Sequence, residues 1–213
     1  MERKSFRIEM IFYLFVPFFY LIGLLIHKIF IDTEILKVIN PFSLFFISIY
    51  ILFFDNITTK KNLLILLLAY IFTFGIEVIG VNTNLIFGKY TYGAALGIKI
   101  FNVPLLIGLN WIVVLLGVVS VLKNFKIHFT SKVILIGLIA VIFDIFLEII
   151  APKYDYWNFA NGYAPFKNFL AWFFISIILG SIFLRYIQED LRFTKINFIS
   201  QFIFFVILSL LTS

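Results

Sequence analysis

Residues 131–151 read SKVILIGLIAVIFDIFLEIIA, an apolar run broken near its end by Asp144 and Glu148. A helix that spans a bilayer needs roughly 17–25 mostly apolar residues, and this run is long enough. A water-soluble helix of that length would carry a polar stripe, and none is present. The two acids stand four residues apart and so share one helix face. An ionisable side chain at such depth costs about 3 kcal/mol on insertion scales, and it faces a cavity or a partner. One stretch therefore states both a membrane class and a candidate site.

Working outward, similar apolar segments fall at about 11–30, 41–57, 62–83, 104–122, 166–187 and 196–212. With 131–151 they make about seven transmembrane helices, and none shows the alternation of a barrel strand. The fold class is all-α, a polytopic integral membrane helical bundle forming a single transmembrane domain over 1–213. Composition agrees: 63% of the 213 residues are hydrophobic and only 13% charged, against about 25% charged in soluble domains. The start, Met1-Glu2-Arg3-Lys4, has the charge of a signal-peptide n-region. The apolar stretch behind it is long and lacks a small-residue cleavage site, so it reads as a retained helix.

The net charge of +6 fits connecting loops better than a nucleic-acid surface. With the N-terminus cytoplasmic, eleven of the seventeen Lys and Arg residues fall on the inner side. Lys28, Lys37, Lys89, Lys99, Lys153 and Lys167 fall outside. The expected placement is thus a multi-pass protein of the cell (inner) membrane, N-terminus inside. No cysteine is present, which excludes disulfides, thiolate metal sites and Cys nucleophiles. The two histidines, His27 and His128, lie near charged helix ends, and no zinc or di-iron cluster is expected.

Two connections, 84–103 and 152–165, are rich in Tyr, Trp, Asn, Gly and Lys. Each follows an odd number of helices, so both belong on one face of the membrane. Each also sits between a Glu and a Pro-started helix: Glu77 leads to Pro104 and Trp111, and Glu148 leads to Pro165 and Trp172. Both tryptophans follow their proline by seven residues, and Asn110 and Asn168 lie in the opening turns. This predicts a parallel internal repeat of units at about 62–122 and 131–187.

Glu77, Asp144 and Glu148 are the acids that interrupt apolar helices. Two carboxyl groups close together in low dielectric do not readily both ionise, so at least one is expected to keep its proton at neutral pH. A desolvated carboxylic acid is a competent proton donor. The structural alternative is pairing with Lys89, Lys99, Lys153 or Lys167. The loop aromatics Tyr90, Tyr92, Tyr154, Tyr156, Trp157 and Tyr163 suit an interfacial belt. They equally suit a pocket for an apolar or cationic guest.

The stretch Gly75-Ile76-Glu77-Val78-Ile79-Gly80-Val81-Asn82-Thr83, with Phe87-Gly88-Lys89-Tyr90-Thr91-Tyr92, Leu96-Gly97 and Val103-Pro104-Leu105-Leu106-Ile107 leading to Trp111, resembles the carotenoid biosynthesis membrane proteins that act as carotenoid hydratases. Phe143-Asp144-Ile145-Phe146-Leu147-Glu148, Tyr156-Trp157, Gly162-Tyr163 and Pro165 with Asn168-Phe169 and Trp172 resemble the same family. Ala164-Pro165-Phe166 departs from the expected Val-Pro-Leu. The resemblance covers roughly residues 72–176. It implies a hydro-lyase without cofactor that adds water to the terminal isoprenoid double bond of an acyclic carotenoid held in the bilayer. Other enzymes of that pathway are candidate partners, and no nucleic acid or metal is implied.

On this reading Asp144 and Glu148 are the acid and its partner, and Glu77 positions water or serves as the alternate acid. Tyr90, Tyr92, Asn110, Trp111, Tyr156, Trp157, Asn168 and Trp172 are the expected substrate-binding residues. Cyclisation or isomerisation of a similar substrate begins with the same protonation and is the nearest alternative. A small proton-coupled transporter also fits buried acids and repeats. A retinal protein does not fit, because residues 197–213 hold no lysine for a Schiff base.

Overall fold

The computed structural model describes residues 2–29 and 34–212, with side chains described from Tyr13 onward. Among the described residues seven helices follow one another: α1 (Glu2–Ile29), α2 (Ile35–Phe54), α3 (Lys60–Thr83), α4 (Leu105–Leu122), α5 (Phe129–Ile150), α6 (Phe166–Tyr186) and α7 (Arg192–Thr212). Helices α2 to α7 are each long and apolar enough to cross a membrane, and α1 carries a shorter apolar stretch, Tyr13–Ile29. The chain is an all-α polytopic membrane bundle. The expected end of the first segment at residue 30, and Met1 of the charged start, lie outside the described residues.

The largest differences from the sequence reading are at two helix starts: α1 begins at Glu2 rather than 11, and α2 begins at Ile35 rather than 41 and carries Pro41 within it. Proline removes one backbone donor, a loss that membrane helices tolerate where neighbours re-satisfy the freed carbonyl. At the other end, Asp55 and Asn56 leave the helix, three residues before the expected boundary. The other ends agree within a few residues. Pro104 and Pro165 each stand one residue before their helix, in extended conformation.

Helix α4 is the axis of the bundle. Most of its residues are buried, whereas α2, α3, α5, α6 and α7 each leave more than half of their apolar window open. It contacts all five of those helices, and a helix apolar on every side belongs in such a place. Close approach depends on missing side chains: a Cβ on Gly117 would lie 2.4 Å from the Cβ of Phe198 on α7. Small residues at contacts are how membrane helices associate. The outer faces carry Leu64, Leu67, Ile71 and Ile79 on α3, and Ile134, Leu138 and Ile142 on α5, all exposed. Lipid, not water, is the solvent for that surface.

Four short strands occupy the loops at one end: β1 (Tyr90–Tyr92), β2 (Lys99–Ile100), β3 (Val103–Pro104) and β4 (Trp157–Phe159). β1 pairs antiparallel with β4, setting Tyr90 opposite Phe159 and Tyr92 opposite Trp157. The two aromatic loops are thereby joined at the same end of the bundle. The opposite end is tied by cations on carbonyls: Lys61 donates to Tyr186, and Lys123 to Ile187 and Glu189.

At that second end Asp55, almost fully buried, closes the start of α7. Its carboxylate accepts from the backbone N–H of Phe193 (2.9 Å) and of Thr194 (2.7 Å), and from the Thr194 hydroxyl (2.5 Å). A carboxylate at a helix N-terminus satisfies donors that have no partner within the helix. Asp55→Ala should lower unfolding free energy by about 2–4 kcal/mol, since two buried N–H groups lose their acceptor. Asp55→Asn, which keeps one acceptor oxygen, should cost less. Unfolding of the purified variants in mixed micelles measures both, and an unchanged midpoint for Asp55→Ala contradicts the capping role.

Candidate active site

Glu77 lies six residues from the end of α3, 4% exposed. Three donors meet its carboxylate. The phenols of Tyr90 and Tyr92 donate to Oε2 at 2.5 and 2.7 Å, and the indole Nε1 of Trp111 donates to Oε1 at 2.8 Å. Burial and the adjacent carboxylate push both phenols above their ordinary range, so they remain O–H donors. Strand β1 makes this possible: residues two apart in a strand point to one side, so Tyr90 and Tyr92 reach the same group.

The second carboxyl pair is on α5. Asn168, three residues into α6, donates one amide hydrogen to Asp144 Oδ2 at 2.8 Å and the other to Glu148 Oε1 at 3.1 Å. Glu148 Oε2 accepts from the indole of Trp157 at 3.0 Å. Asp144 Oδ1 is buried and has no hydrogen-bond partner among the described residues. The three acids make no ion pair; among the described residues the ion pairs are Lys37–Glu34 and Arg192–Asp190. Lys99 and Lys167 bind the carbonyls of Tyr92 and Asn84 instead. Among the described residues, no three of His, Asp and Glu converge to hold a metal ion.

Between the carboxylates is a cavity of about 20 Å³, lined by Glu77, Glu148, Tyr90, Tyr92, Trp157, Asn168 and Trp172 with Phe87, Phe159 and Ile107. That is room for about one water molecule, with polar partners on several sides. Trp111 stacks on Trp172 at 3.7 Å between ring centroids, joining α4 to α6 behind the site. Asp144 is fully buried one turn from Glu148 and does not line the cavity.

A second cavity of about 150 Å³ lies among α1, α2, α4, α5 and α7, largely apolar, and it shares Ile107 and Trp157 with the first. Tyr156 and Asn110 line this larger space. Asn110 is therefore not part of the acid cluster, as its apparent match to Asn168 had suggested. It stands six residues after its proline rather than three, nearly a turn further along its helix. Tyr156 likewise faces His27 and not the acids, while Tyr90, Tyr92, Trp111, Trp157, Asn168 and Trp172 meet around them.

Sequence reasoning missed Phe87, Phe159, Ile107 and His27. Phe159 had a signal: Tyr90-Thr91-Tyr92 and Trp157-Asn158-Phe159 both alternate aromatic and polar residues, the mark of a short strand. His27 had none. It is buried rather than at a solvated helix end, and its Nδ1 lies 2.8 Å from the carbonyl of Gly23. A carbonyl only accepts, so Nδ1 carries the hydrogen. Nε2 is then left as an acceptor for the Tyr156 hydroxyl at 3.5 Å. Nothing local to the sequence reports that α1 packs over this loop.

The two loops meet so closely that a Cβ on Gly93 would lie 2.1 Å from the Asp155 carbonyl oxygen, while the Asp155 carboxylate accepts from the Ala94 N–H at 2.8 Å. Gly93→Ala must therefore shift one loop and disturb the pairing of β1 with β4. Faster hydrogen exchange at Tyr90–Tyr92 and Trp157–Phe159, with the helices still protected, is the expected result.

The profile of the carotenoid biosynthesis protein family matches residues 37–213. No curated protein and no solved structure gives a significant match. With a bundle of membrane helices and most of its length inside that match, this chain belongs to the carotenoid biosynthesis protein family.

Proposed function

We propose that the protein is a membrane-embedded carotenoid hydratase, a hydro-lyase that adds water to the terminal isoprenoid double bond of an acyclic end group. The observation that carries this is the water-sized cavity of about 20 Å³ set between Glu77 and Glu148 and walled by aromatic rings. Hydration needs an acid in a dry place, a surface that tolerates a cation, and one held water. Glu148 faces the cavity and is the proton donor, with Asp144 as its partner through the shared amide of Asn168. Glu77, fixed by three donors, holds the water.

In the reaction the carboxyl O–H bond breaks and its proton forms a C–H bond at C2, using the alkene π pair. The tertiary cation left at C1 faces Trp and Tyr rings, which stabilise positive charge. The water oxygen bonds to C1 and gives up a proton to a carboxylate, so the net change is addition of one water. The end group enters from the larger apolar cavity, which meets the smaller one at Ile107 and Trp157. Residues 62–122 and 131–187, taken as a parallel repeat, would each supply an acid and a tryptophan to one shared centre. The basic residues favour an N-terminus in the cytoplasm of a cell with this membrane as its inner one. That orientation places the site toward the outer leaflet.

Expression in a bacterium that accumulates lycopene should yield pigment heavier by about 18 Da per modified end, the mass of one water. Glu77→Gln, Asp144→Asn and Glu148→Gln should each lower that yield by roughly 10²–10⁴-fold, the range for a lost acid or base. Tyr163→Phe, at an exposed position (68%), should leave it unchanged. A product of unchanged mass and altered retention would instead identify a cyclase or isomerase. Full activity in all three acid variants would remove the mechanism.

A further inference from the structure

The larger cavity is not uniformly apolar. Asn40 on α2 and Gln201 on α7 both line it, 8% and 4% exposed. Among the described residues, Asn40 Nδ2 and Gln201 Oε1 are buried without a hydrogen-bond partner. One is a donor and the other an acceptor. A buried polar atom left unpaired is destabilising, and native structures keep few of them. Here two of complementary kind belong to side chains that line one cavity, one from α2 and one from α7.

The guest that suits such a pair is a neutral group that both accepts and donates, on an otherwise apolar body. A hydroxyl does both. Among the described residues no Lys, Arg, Asp or Glu lines the cavity, so a phosphate or carboxylate head group would find no counter-charge there. His27 and Tyr156 face each other, and the Tyr20 hydroxyl donates to Asn197 at 2.9 Å. Those three are already engaged, whereas Asn40 Nδ2 and Gln201 Oε1 are not. A plain hydrocarbon would fill the space but leave both amide atoms unpaired.

We propose that this cavity is an alcohol-binding site, in which Asn40 Nδ2 donates to the hydroxyl oxygen of a branched isoprenoid chain and Gln201 Oε1 accepts its hydrogen. Because the cavity adjoins the acid cluster at Trp157 and Ile107, the natural guest is the tertiary alcohol made there. That identification of the guest rests on the hydratase reading; the affinity for a hydroxyl does not. Asn40 and Gln201 are thus specificity-determining residues that select a hydroxylated end over an unmodified one, which makes the protein prone to retain its product.

The test uses the purified full-length protein in detergent micelles. The probes are a ten-carbon branched tertiary alcohol, the matching primary alcohol and the matching alkane, with binding read from tryptophan fluorescence, since Trp157 borders the cavity. Comparing each probe between wild type and the Asn40→Leu/Gln201→Leu variant cancels its partition into micelles. Wild type should bind the tertiary alcohol about tenfold more tightly than the double variant does, and the alkane no more tightly. The empty double variant should be at least as heat-stable as wild type, since it loses two unpaired polar groups. Gln201→Met alone provides a second, milder variant in which the alcohol preference should fall by several-fold.

Equal alcohol affinity in wild type and both variants overturns the site. A preference for the primary over the tertiary alcohol keeps a hydroxyl site but overturns the product as its guest. Glu77→Gln should retain the alcohol preference, so a failure of the hydratase reading in the pigment assay leaves this measurement standing on its own.

Discussion

A carboxylate inside a lipid-facing bundle has to be surrounded by donors, and the structure around Glu77 is arranged by that need. Its three donors come from β1 and from α4, so satisfying one side chain fixes the 84–103 loop against the bundle axis. Remove the donors and the charge would lose its protein partners, a costly state in such an interior. The strand pairing of β1 with β4 then carries the constraint across to Glu148, whose donor Trp157 opens β4. Asn168 completes the circuit from α6 to both acids on α5. Removing any one of these donors therefore leaves a buried acid short of a partner, which is why the two loops and the three acids act as a unit.

The two ends of the molecule do different work. One end gathers the aromatic loops, the acids and both cavities. The other holds Asp55 at the start of α7 and lysines on helix-terminal carbonyls, which fix the relative heights of the helices. Helix α4 runs between them, buried on all sides, and presents Trp111 to the acid cluster and Asn110 to the larger cavity. A rigid axis with the acid cluster at one end suits the proposed hydration, because misplacement of the acid or the water would divert its cationic intermediate.

Much of this was legible in the sequence because the bilayer imposes simple demands. Apolar length located the helices, and acids such as Asp144 and Glu148 stood out against a run of Ile and Phe. The residues 75–111 and 143–172 carried a family resemblance that the match over 37–213 upholds. What stayed hidden depended on contacts between distant segments. Pro41 looked like a helix start and is internal, because its neighbours, not its own propensity, decide the boundary. Asn110 was expected with Asn168 among the substrate-binding residues, and its different offset from its proline sets it on the larger cavity. Asn40, Gln201 and His27 gave no sequence signal, since only the packing of α1, α2 and α7 makes them face one space. Asp55 carried no signal in the sequence, because its burial against α7 depends on a contact across most of the chain.

The central claim is that the acid cluster protonates an alkene carbon and delivers a water to its neighbour. Membranes containing the protein, supplied with an acyclic carotenoid in deuterium oxide or in water enriched in oxygen-18, test both halves at once. One carbon-bound deuterium at C2 and one heavy oxygen at C1 per converted end is the predicted result. A product that gains deuterium without oxygen, or oxygen without carbon-bound deuterium, would contradict it.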